Sequence, residues 1–371
     1  MVFWGLYLTN LYGLSPIFEA VLKCFQYVYS GVIVNENIDP LIQSIHDLIK
    51  LSGSDPDTFD GELITQQIIN SLKLMREGHD TGQLKLITRS LKEMRYAYRI
   101  FNQHKGSRIV SIFGSARTPE NHSDYIAAKA FSTKMASEGW MCMTGAANGI
   151  MKAGLEGLDP SKSFGLSIRL PFEMTANSVI EGDEKHIVFR YFFTRKLMFL
   201  GHSDALAAFP GGFGTMDELY EALTLIQTGK SPVIPIVLVE GESGFYWREW
   251  TQYVQHHLLG NGWISSEDQR FYHVATSVED AVKHVQKFYS RYHSSRYVKD
   301  ELVIRLNEAL TEKQVAYLNV KYRSLIVSDD IRTVEPLEGE NDALELPRIA
   351  FKHNHNHFGL LRSLIDDINE F

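Results

Sequence analysis

Between Arg108 and about Phe288 the chain alternates short apolar runs with stretches of helical spacing, and several of the runs end in glycine. Three of these are RIVSIFG, WMCMTGAANG and DALAAFPGG, and the first is followed by the helical pattern SDYIAAKAFSTKMASEG. An apolar run without polar alternation has to be buried on both faces, which a sheet achieves only when helices cover it on either side. Further strand candidates are SFGLSIRLP, HIVF and SPVIPIVLVEG. The pattern predicts an α/β fold, a Rossmann-like doubly wound parallel sheet. Such sheets bind ligands outside the carboxyl ends of their strands.

The flanks have a different texture. From about Asp39 to Gln103 the segments LIQSIHDLIKL, GELITQQIINSLKLMREG and LKLITRSLKEMRYAYRIF space apolar residues three and four apart, as helices do. The expected organisation is a helical N-terminal region (1–105), a Rossmann-like nucleotide-binding domain (106–290) and a small C-terminal α/β extension (291–371). In the extension, EKQVAYLNVKYRSLIV and GLLRSLIDDIN read as helices, and the acidic DDIRTVEPLEGENDALELP reads as a solvated loop. HNHNH, His353 to His357, could align imidazoles on one strand face, but no acid or cysteine stands at ligand spacing, so it reads as a polar loop and no metal is expected. The apolar first 34 residues lack a basic leader and contain Asn10, Pro16, Glu19 and Lys23. They read as a docking helix rather than a signal peptide or membrane span.

Composition narrows the partners. The 371 residues are 44% hydrophobic, with a formal net charge of -8 and a pI near 6.0. That charge provides no field for a nucleic-acid backbone, although one local pocket can still hold a small anion. The two cysteines, Cys24 and Cys142, are too far apart for a zinc motif, and a reducing cytoplasm is the expected setting.

The glycine-ended runs place Gly114 with Ser115, Gly145 through Asn148 and Gly149, and Gly211, Gly212, Gly214 and Thr215 on one rim of the sheet. None forms the G-x-G-x-x-G of a dinucleotide fold, and no G-x-x-x-x-G-K-[ST] is present. No cofactor is expected. The third site, PGGFGT, suits a mononucleotide or sugar phosphate: glycines let backbone N–H groups approach an anion, and the helix behind them contributes its positive end. A plain strand-to-helix turn would explain the same glycines. Thr215 and Glu218 also fit the T-x-x-E of a capping box, a purely structural role.

These residues resemble the lonely-guy family, often labelled lysine decarboxylases. The resemblance rests on P-G-G-x-G-T-x-x-E from Pro210 to Glu218, and on the Arg195 and Lys196 pair in YFFTRKLMF. GLSIRLPFEMTANSVI, with Glu173 and Asn177, and ELYEALTLIQTGK look like its longer bacterial branch. Where family members often carry a triple glycine, this chain has TGAANG. The resemblance covers about Arg108 to Phe288. It implies hydrolysis of the N-glycosidic bond of a nucleoside 5′-monophosphate, releasing base and ribose 5-phosphate, and assembly as a homodimer or larger homo-oligomer.

Such a bond breaks through a positively charged ribose, so a carboxylate near the anomeric carbon is needed, and Glu218 is the candidate. Arg195 stays protonated and is assigned to charge stabilisation and orientation, with Lys196 beside it in the substrate site. Arg169 and Glu173 could instead pair with each other, and Asn177 could cap the segment after it. The alternative reading is a non-catalytic nucleotide or molybdenum-cofactor carrier. The old decarboxylase label finds no pyridoxal-phosphate constellation here.

Overall fold

The computed structural model describes residues 40–169, 177–242 and 244–371, which fall into two compact units divided between Ile87 and Thr88. The apolar N-terminal segment and Glu173 lie outside the described residues. In the first unit, helices α1 (Pro40–Leu51) and α2 (Phe59–Arg76) pack on each other. Thr58 caps α2 by accepting the Gly61 N–H at 3.1 Å. Helix α3 (Thr81–Phe101) begins in this unit and ends in the second.

The second unit is built on a seven-stranded sheet. In chain order its strands are β1 (Ile109–Phe113), β2 (Met141–Thr144), β3 (Ser163–Ile168), β4 (His186–Phe189), β5 (Ala205–Ala208), β6 (Ile236–Leu238) and β7 (Tyr272–Val274). Their spatial order is β4-β3-β2-β1-β5-β6-β7, and every pairing is parallel. Alternate residues of the central strands feed two cores, as a sheet covered on both faces requires. Val110, Ile112, Cys142 and Ala207 pack with α4 (Ser123–Ser137) and α9 (Val278–Phe288). Ile109, Phe113, Met143 and Leu206 face the other way, toward α6 (Phe192–Gly201), α7 (Phe213–Gln227) and the end of α3. Two short helices, α5 (Ile150–Ala153) and α8 (Tyr246–Tyr253), follow β2 and β6.

The strand order reverses between β1 and β5, so their carboxyl ends diverge into connections on opposite sides and leave a crevice. Ser115 and Pro210 stand at that point, joined by the Ser115 N–H donating to the Pro210 carbonyl at 3.1 Å.

A second, antiparallel sheet comes next in the chain, with order β10-β11-β9-β8, from β8 (Tyr292–Val298), β9 (Glu301–Leu306), β10 (Arg332–Val334) and β11 (Arg348–Phe351). Helix α10 (Glu312–Lys321) starts at a capping box made by Thr311 and Gln314, and α11 (Phe358–Glu370) closes the chain against α9. The expected helices in this region are present. The acidic stretch, however, is not a solvated loop throughout. It contributes β10, and the Glu340 carboxylate is fully enclosed, 2.7 Å from Arg305 and 2.8 Å from Arg348. Two cations deep in the sheet draw one acid inward, a requirement that local polarity does not express. HNHNH is irregular apart from a bridge between Ile326 and His353, but His353 is buried and bonded to the Tyr297 hydroxyl at 2.7 Å. Among the described residues no helix is long and apolar enough to cross a membrane, and no group of side chains is arranged to hold a metal ion.

Candidate active site

The crevice at the β1/β5 switch opens into a cavity of about 750 Å3. Its floor is the three glycine-rich strand ends. Gly114, Ser115, Gly145, Gly212, Gly214 and Thr215 all line it, together with Arg195 and Glu218. Asn148, Gly149, Gly211 and Lys196 are not part of that lining.

Gly149 instead holds the loops together. It caps α5 at φ +62°, and a Cβ there would lie 2.3 Å from the Ser115 carbonyl oxygen. Gly211 is similarly enclosed, since its Cβ would meet Thr215 Oγ1 at 2.1 Å, and its carbonyl accepts the Tyr246 hydroxyl at 2.6 Å. Asn177 does cap the segment after it, accepting the Val179 N–H at 3.1 Å. It also donates to the Ala147 carbonyl at 2.9 Å, while its backbone N–H reaches the Ala146 carbonyl at 2.8 Å. The loop after β2 is thereby tied down around Ala146, a non-glycine residue at φ +60°.

Helix α7 begins at Phe213 with Gly212 as its cap, and no side chain caps it. Thr215 is therefore the third helical residue rather than the cap, and the capping box that T-x-x-E suggested does not form. The glycines let the helix start three residues early, which brings its first residues, Phe213 and Gly214, into the cavity lining. Glu218 is consequently carried one turn further along, onto the buried face.

There its side chain is 6% exposed, and Oε2 has no hydrogen-bond partner. Burial pushes its pKa up from 4.5 to about 7, against the Lys196 and Arg195 charges, which pull it down. Arg195 is partly buried and anchored by its Nε donating to the Leu166 carbonyl at 2.8 Å. Burial lowers its pKa from the ordinary value, and Glu218 opposes that shift. Gly145 makes room for it: a Cβ there would stand 2.6 Å from Arg195 Nη2. Glu93 on α3 sets the approach, accepting the Arg190 N–H at 2.9 Å and the Thr194 hydroxyl at 2.6 Å just before Arg195.

Arg169, singled out in the sequence, lines the wall, and several further lining residues carry no sequence signal of their own. Arg117 adds a second guanidinium group, and Phe192 and Val188 add apolar surface. Ser167 and His186 sit on adjacent strands with Oγ and Nε2 2.9 Å apart. Asp217 is also in the lining, and helical spacing from Phe213 would have found it once the helix start was known.

A parallel α/β sheet with a glycine-lined cavity at its switch point is the arrangement in which open α/β sheets bind small ligands. Residues 137–285 carry a domain of the family whose model is described as "Possible lysine decarboxylase", the family of the lonely-guy (LOG) proteins. The chain is distantly homologous to two curated proteins of Arabidopsis thaliana. Cytokinin riboside 5′-monophosphate phosphoribohydrolase LOG1 is 29% identical over 33% of this chain and 54% of its own length. LOG4, of the same description, is 28% identical over 34% and 54%. The chain thus spans about half the length of the curated relatives it matches. Among solved structures, the molybdenum cofactor carrier protein of Chlamydomonas reinhardtii is similar at 22% identity and a TM-score of 0.35, covering 49% of this chain and 97% of that one.

Proposed function

We propose that the chain hydrolyses the N-glycosidic bond of nucleoside 5′-monophosphates, AMP-like or cytokinin riboside monophosphates, to free base and ribose 5-phosphate. The observation that carries this reading is Glu218, a buried carboxyl with an unpartnered oxygen beside a glycine-lined cavity. The names of the distant relatives point to the same reaction.

In the proposed reaction the 5′-phosphate lies against the first turn of α7 and the neighbouring glycine loop. The C1′–N bond breaks with its electron pair leaving on the base, and the ribose ring becomes cationic. Ionised Glu218 stabilises that charge. Water adds to C1′, and the net proton from water ends on the departing base. Arg195 remains protonated throughout and orients the nucleotide. A carboxyl held near pH 7 supplies the ionised form only above that point, so kcat/KM should rise through about pH 7.

The test is to incubate purified protein with purine, pyrimidine and cytokinin nucleoside 5′-monophosphates and assay both products. Base release from a monophosphate, with the matching nucleoside turned over far more slowly, is the expected result. Silence across the panel would overturn the enzyme reading, and stoichiometric retention of ligand without base release would favour a carrier. Equal turnover of nucleoside and monophosphate would remove the phosphate assignment.

A further inference from the structure

Arg195 and Lys196 are consecutive on α6 yet line different spaces. Arg195 borders the cavity that holds Glu218, whereas Lys196 lines a separate cavity of about 880 Å3 on the opposite rim, with Ile109, Asp204 and Ile234 from the amino ends of the strands. Helix α7 has the same division: Asp217 and Glu218 border the first cavity, and Glu221 the second. Lys196 crosses the wall between them. Its Nζ lies 2.7 Å from Asp217 and is also paired with Glu221, with only 13% of the side chain exposed.

Three acids therefore crowd a little over one turn of α7, and a single ammonium bridges the outer two. Asp217 and Glu221 are four residues apart on one helix face, a spacing at which like charges repel. Without Lys196 their combined charge would oppose ionisation of the carboxyl between them. We infer that Lys196 is a positioning residue that touches no substrate: by clamping Asp217 and Glu221 it offsets their charge and holds Glu218 free of partners and able to ionise. This role rests on the reading of Glu218 as the catalytic carboxylate. The charges acting on Glu218 are those of Lys196, Arg195, Asp217 and Glu221, with Arg117, Arg169 and His186 also on the cavity wall.

The clamp makes a charge-balance prediction that a packing role does not. In full-length protein labelled at glutamate carboxyl carbon, with Glu218→Gln used to assign the resonance, Lys196→Met should raise the Glu218 titration midpoint by about one pH unit. Glu221→Gln alone should lower it. The double variant Lys196→Met/Glu221→Gln, which keeps the local charge sum, should return it close to the parent value, and Lys196→Arg should leave it there. The acidic limb of kcat/KM should follow the same order, with Lys196→Met losing about tenfold at pH 6.

A midpoint unmoved by both Lys196→Met and Glu221→Gln would overturn the clamp, as would a double variant as displaced as the single one. If Lys196→Met fails to fold, Glu221→Gln and the double variant still decide the matter. A midpoint that shifts as expected in a protein releasing no base would uphold the clamp and sink the hydrolase reading instead.

Discussion

Glu218 combines two costs that usually betray a working residue: an unpartnered buried oxygen and an ionisation pushed toward neutrality. Replacement by Gln keeps the shape and removes the negative charge. Glu218→Gln should remain folded and bind nucleotide, yet lose on the order of 3 kcal/mol of transition-state stabilisation, a hundredfold or more in rate. Near-normal base release by the folded variant would refute that role.

The same substitution has a signature in stability. Because the native pKa of about 7 stands above the ordinary 4.5, the unfolded chain releases this proton at lower pH than the native one. Stability from this residue is thus present below pH 4.5, declines as pH rises to 7, and stays low above it. Relative to the parent, Glu218→Gln should gain stability between those limits, by about 3 kcal/mol at pH 8 and almost nothing at pH 4. Chemical denaturation at the two pH values would measure the difference.

At the scale of elements, the site depends on loops being held rather than on helices and strands alone. Asn177 ties the loop after β2 through the Ala147 carbonyl and the Val179 N–H, and the Gly145 turn in that loop gives Arg195 its space. Asn177→Ala removes two hydrogen bonds and leaves a carbonyl without its donor. It should cost about 1 to 3 kcal/mol of stability and raise KM more than it lowers kcat. Thermal melts with steady-state kinetics on the best monophosphate check this. An unchanged KM would place the loop outside the substrate site.

At the scale of the whole molecule, the second sheet is organised around Glu340, enclosed with Arg305 and with Arg348, which is itself almost wholly buried. Breaking such a group from one side leaves buried charge uncompensated, so Glu340→Gln should destabilise the fold by about 3 kcal/mol or more. A variant that melts with the parent would show the network to be dispensable. Phe192, Phe193 and Leu197 are exposed on α6 beside the candidate site, an apolar surface of the kind that self-association covers. We expect at least a homodimer, which light scattering at micromolar concentration would test; a monomer would contradict it.

The sequence alone determined the parallel sheet and its glycine rim, because a strand buried on both faces has to be continuously apolar and RIVSIF, MCMT and ALAA have no other use. It also singled out Arg195 and Glu218, through their match to the motifs of the family the chain resembles. It could not determine which way neighbours on a helix face, and so it placed Lys196 with Arg195. Nor could it place the start of α7, where T-x-x-E reads locally as a cap. Only the tertiary structure decided those points, since an open glycine turn moved the helix start to Phe213 and the packing of α6 against α7 turned Lys196 to Asp217 and Glu221 while Arg195 lines the first cavity. Glu340 shows the same limit: polarity predicts exposure one residue at a time, whereas two buried arginines, far apart in sequence but paired across adjacent strands β9 and β11, decide whether an acid is drawn inside.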